Sequence, residues 1–136
     1  MGRGLVPRLF LCLLFLACTD PRHTLRTAKI GLVAPLSRGE GNAWVAQARN
    51  AVREWNQTVL AGRPFRIELI VYDEDEGPAV ARRLLVDPEV RGVVAGATSL
   101  LVPSLLDTRL ALRTVRPRDD AGVATKSLLE EVARAP

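Results

Sequence analysis

The chain has 136 residues, enough for one domain, and its apolar content of 48% excludes a disordered polymer. The formal charge of +4 includes two arginines at the extreme amino end, Arg3 and Arg8. Only Lys29 and Lys126 are lysines, and the arginines are interspersed with acids rather than gathered, so no nucleic-acid-binding face is expected.

After Arg3 and Arg8 comes an apolar run, Leu9 to Leu16, then Ala17-Cys18 and a polar switch at Thr19-Asp20. A basic flank, a short apolar run and a small residue describe a secretory signal over residues 1–17, well short of the roughly 20 residues that span a bilayer. The chain is therefore expected to be exported to the periplasm or held at a membrane. Leu14-Phe15-Leu16-Ala17-Cys18 resembles a bacterial lipobox, which makes Cys18 a candidate lipid anchor, with plain cleavage or an uncleaved anchor as the alternatives. Residues 18–28 read as a tether and residues 29–136 as the folded part. Both cysteines, Cys12 and Cys18, precede the folded part, so packing rather than disulfides must hold it.

Lys29 to Ser37 is an apolar first strand closed by Pro35 and the loop Ser37-Arg38-Gly39-Glu40-Gly41. Asn42 is a plausible N-cap for a helix over Ala43 to Asn56, with Trp44, Ala48, Ala51, Val52 and Trp55 on one stripe. Trp44, in the first turn, is either core or turned toward a ligand. Phe65 to Tyr72 is a second strand, ended by Asp73-Glu74-Asp75-Glu76 and Gly77-Pro78. Pro78 suits a first helical turn and the acids the positive end of its dipole, so a helix runs to Asp87-Pro88. Val90 to Gly96 is a third strand, apolar enough for a sheet covered on both faces. Leu100 to Arg113 reads as a third helix with Leu101, Leu105, Leu106 and Leu110 inward, and Ala124 to Arg134 as a fourth, with no strand before it.

The order implies an α/β fold, a three-layer α/β/α sandwich on a small parallel sheet of order 2-1-3. Its switch point lies between the first and third strands, where the Ser37 loop and the Thr98-Ser99 turn face a crevice. Two hydroxyls at a helix N-terminus suit an anion such as a carboxylate, although Ser99 is equally placed to cap its own helix. Catalysis is not expected. The single histidine, His23, lies in the tether, which excludes histidine triads and zinc centres, and the folded part offers no cysteine nucleophile. The acidic run reads as a solvated capping turn rather than a magnesium pocket. No phosphate-binding loop is present, and no cofactor or metal is expected.

Four segments, Lys29 to Ser37, Ala51 to Asn56, Ile67 to Pro78 and Val93 to Ser99, closely resemble in order the N-terminal lobe of the leucine/isoleucine/valine-binding family of ABC-transporter solute-binding proteins. The resemblance covers about Lys29 to Arg113. It implies an exported, often lipidated protein that takes an amino acid or related small molecule between two α/β lobes and delivers it to transporter membrane subunits. It also implies that Ser99, with Thr98 beside it, contacts the ligand. The family's fourth strand, with its Ala-x-Thr ligand loop, is expected to be missing, because Arg113 runs straight into Thr114 to Asp120, which looks like the segment after that strand. The expected protein is thus a truncated, partial solute-binding lobe with the third strand left as an open edge. The alternatives are a partial reading frame without binding activity, and an interaction or sensor module that uses the same crevice with a partner protein.

Overall fold

The computed structural model describes residues 26–58 and 65–135; the leader, Cys18 and most of the tether lie outside them. Four parallel strands, β1 (Arg26–Ala34), β2 (Phe65–Asp73), β3 (Val90–Gly96) and β4 (Ala111–Val115), form a sheet of order β2-β1-β3-β4. Helices α1 (Gly39–Thr58) and α4 (Ala121–Arg134) cover one face, and α2 (Pro78–Val86) and the single turn α3 (Val102–Leu105) the other.

The two layers follow from strand alternation. Ala28, Ile30, Leu32 and Ala34 of β1 point into a core with Trp44, Ala48, Val52 and Trp55 of α1 and Leu128, Leu129 and Val132 of α4. Val33 of β1 and Val90, Val93 and Ala95 of β3 point the other way, onto Val80, Ala81 and Leu84 of α2. The fold class is the α/β/α sandwich expected from sequence, enlarged by one strand.

That strand corrects the sequence reading. The leucines of 100–113 do not form one helix: α3 ends at Leu105, Asp107 adopts a φ of 58°, and the chain turns back into β4. Leu106, expected inward, is 55% exposed, whereas Leu101, Leu105 and Leu110 are buried. Arg109 fixes the turn by donating to the carbonyls of Val90, Leu85 and Asp87 at 2.6, 3.0 and 2.7 Å. β4 then pairs with β3 from Gly92↔Ala111 to Gly96↔Val115, so the fourth strand is present and β3 has no open edge.

Smaller differences have local causes. β1 starts at Arg26 because β2 extends its ladder, pairing Arg26 with Phe65 and Thr27 with Arg66. α1 begins at Gly39, which puts Asn42 inside the helix rather than at its cap. α4 begins at Ala121, capped by Asp120, whose carboxylate accepts from the Gly122 N–H at 2.7 Å.

Beneath the sheet, Lys29 clasps the loop between α2 and β3, its Nζ lying 3.0 Å from both Asp87 Oδ2 and Glu89 Oε2. Glu89, then Asp87, holds the ammonium above its ordinary pKa; Lys29, helped by the Glu89 N–H, holds the Asp87 carboxyl below its ordinary value. Because the folded Asp87 pKa is depressed, its contribution to stability is present above the unfolded value of 3.8 and is lost as pH falls through the folded one. Lys29 has the opposite sign: its contribution is complete below 10.5 and lost as pH rises through the raised value. In Asp87→Asn, urea midpoints measured against pH are expected to fall less steeply on the acid side of 3.8 than those of the unaltered chain. Parallel acid limbs in the two proteins would show that the clasp carries no pH dependence.

Candidate functional site

All four strands deliver their carboxyl ends to one edge of the sheet, and the switch point there lies between β1 and β3. β1 leaves through a tight turn in which the Leu36, Arg38 and Gly41 N–H groups donate to Ala34, Pro35 and Arg38 carbonyls at 2.9, 3.0 and 3.0 Å. β3 leaves through Ala97-Thr98-Ser99, fixed by Ser99 N–H to the Gly96 carbonyl at 3.0 Å and by Ala97 N–H to the Val115 carbonyl of β4 at 2.8 Å.

The ligand-site candidates Ser37, Thr98 and Ser99 all lie at this end, with different duties, while Cys18 lies outside the described residues. Ser37 is exposed, and its hydroxyl donates to Asp75 Oδ2 at 2.7 Å. Ser99 is only 4% exposed, and its Oγ accepts from the Leu101 N–H at 3.3 Å, so it braces its own turn. Thr98 is exposed and its side chain has no hydrogen-bond partner among the described residues. The long helix expected to begin here, with its dipole, is replaced by the single turn α3.

Trp44 is core, and its buried ring packs behind Gly96 at the end of β3. A Cβ on Gly96 would lie 3.3 Å from Trp44 Cη2 and 3.5 Å from Glu74 Oε2, so the absence of a side chain at Gly96 admits both. Glu74 in turn pairs with Arg38 at 3.1 Å, a contact that the sequence reading did not identify. Its signal was a basic residue in the loop after β1 facing an acid run after the adjacent β2. The acid run does not cap α2 as expected: it forms its own 3-10 turn, Glu74–Glu76, in which Asp73 accepts from the Asp75 N–H at 3.1 Å, Glu76 pairs with Arg83 of α2 at 2.7 Å, and α2 starts from Gly77, at a φ of 68°, with no side-chain cap.

The carboxyl edge of the sheet thus carries the Arg38–Glu74 pair, the Ser37–Asp75 pair and the exposed Thr98 hydroxyl, with the buried Trp44 ring behind Gly96. Among the described residues no three or more of His, Cys, Asp and Glu are grouped to hold a metal ion, and no helix is long and apolar enough to cross a membrane. A groove of about 740 Å³ opens at the opposite edge, where the strands begin. Comparison of the chain with protein-family models, with curated proteins and with solved structures finds no match.

Proposed function

We propose that the chain is a solute-binding lobe of the ABC-transporter type, exported, anchored through Cys18, and binding an amino acid or related small zwitterion without catalysing a reaction. The observation that carries this reading is the Arg38–Glu74 pair at the carboxyl edge of a parallel 2-1-3-4 sheet, with Glu74 reaching Gly96 and Thr98 exposed in the turn that follows it. An α-amino acid carries a carboxylate and an ammonium two bonds apart. A guanidinium takes the first, a carboxylate the second, and Thr98 supplies a further hydrogen bond. Transporter membrane subunits are the partners this reading calls for.

With the ligand on an open edge each contact stays wet, so affinity is expected on the order of millimolar, about −4 kcal/mol. In an NMR titration with leucine, valine and isoleucine, amide shifts should concentrate at residues 37–41 and 96–101. Thr98→Ala should weaken them without changing stability. Ser99→Ala should instead lower stability by about 1 kcal/mol, because it leaves the Leu101 N–H without its acceptor. Absence of shifts in both segments at tens of millimolar would remove the reading.

A further inference from the structure

The groove at the amino ends of the strands takes no part in the site above. Its floor is apolar, built from Ala28 of β1, Phe65 of β2, Leu110 ahead of β4 and Val132 of α4. Its volume of about 740 Å³ is within the range of small-molecule sites. Its charge is one-sided. Glu131 is the acid on its wall, and that carboxylate is already paired with Arg113, which lies outside the groove. Arg109, also on the wall, donates to three neutral carbonyls, and the nearby Asp87 carboxylate, which it also feels, is already paired with Lys29.

Two more arginines line the groove and have no partner among the described residues, Arg26 and Arg91. Arg91 is there for a backbone reason. Lys29 pairs with Val90 and Ile30 with Gly92, so Arg91 is the extra residue of a bulge, the device by which a strand re-aims one side chain. Arg26 falls, by alternation along β1, on the same face as Ala28.

We infer that this groove binds an aliphatic monocarboxylate, its chain on Phe65, Leu110 and Val132 and its carboxylate shared by Arg26 and Arg91. A small polar anion would leave the apolar floor wet, and a hydrocarbon would leave the arginines unused; an amphipathic anion satisfies both. The same arginines repel an ammonium group, so an amino acid, the ligand proposed for the opposite edge, is selected against here.

The test is an NMR titration of the full isotope-labelled chain with octanoate, with octylamine and leucine as controls. Octanoate should give saturable shifts at residues 26–28, 90–92 and 109–111 and none at 96–101. Octylamine and leucine should not saturate there. Arg26→Gln/Arg91→Gln should weaken octanoate at least tenfold while the remaining spectrum is unchanged, and Arg91→Gln alone supplies the comparison if the double variant is poorly folded. Equal binding of octylamine and octanoate would reduce the groove to an apolar surface and overturn the assignment. Full affinity in the arginine variants would do the same. So would shifts of residues 9–16 that move in step with the groove, since the chain's own apolar run would then be its occupant.

Discussion

Gly41→Ala is expected to cost about 3 kcal/mol, the upper end of the usual overpacking range, although alanine is the better helix former. A Cβ at this position would lie 2.3 Å from the Pro35 carbonyl oxygen, 2.6 Å from its carbon and 2.9 Å from the Leu36 nitrogen. All three are backbone atoms, so no side chain can swing aside. The Pro35 carbonyl is also held in place, because it accepts from the Arg38 N–H at 3.0 Å. Relief therefore requires the first turn of α1 to lift from the β1 exit loop, carrying Ser37 away from Asp75 and Arg38 away from Glu74. The substitution should lower the urea midpoint and, in whatever protein remains folded, displace the amide signals of the switch point. Gly39→Ala is the control: nothing lies within 4 Å of its Cβ, and it should be neutral or slightly stabilising. Equal midpoints for the two variants would mean that α1 does not pack on Pro35 as described.

The fold was legible where local chemistry and long-range packing agree. β3 matches its expected limits because a β-branched run is bounded by Asp87-Pro88 on one side and Gly96 on the other. The turn after β2 is legible for the same reason, since four acids followed by Gly77-Pro78 permit little else. β4 was not legible. Leu101 and Leu105 carry genuine helical spacing, and Leu110 continues it by coincidence, being buried from the bend just ahead of β4 instead. No glycine or proline marks the break at Asp107, and the feature that fixes it, Arg109 on three carbonyls of the α2 to β3 region, is set by residues up to 24 positions away. A five-residue strand is too short to display alternation against a background of leucines.

At the switch point, sequence located the loops and not the partners. That Ser37, Thr98 and Ser99 lie at strand ends follows from the βαβ order. That Ser37 is bound to Asp75, Ser99 to its own turn and Arg38 to Glu74 depends on side-chain direction, which spacing does not encode. The basic groove is less legible still, because Arg91 reaches it through a bulge that exists only in the pairing of β1 with β3.

Leu128→Ala is expected to lower stability by about 3–4 kcal/mol, within the range for a leucine truncated in a core. Leu128 is fully buried and packs on β3, with its Cδ1, Cδ2 and Cγ at 2.8, 3.0 and 3.1 Å from the position of a Cβ on Gly92. Gly92→Ala alone should also destabilise, by about 1–3 kcal/mol, since the leucine tip must leave its rotamer or α4 must withdraw from the sheet. The two changes are not independent: the alanine methyl at 92 occupies space that truncation at 128 vacates. The double variant should therefore be more stable than the sum of the single effects predicts, by at least about 1 kcal/mol, the coupling expected of residues in direct contact. Because Gly92 pairs with Ala111 of β4, the same cycle tests whether α4 is seated over the β3–β4 ladder. Additive losses would place the helix elsewhere, and with it Val132 and the wall of the basic groove.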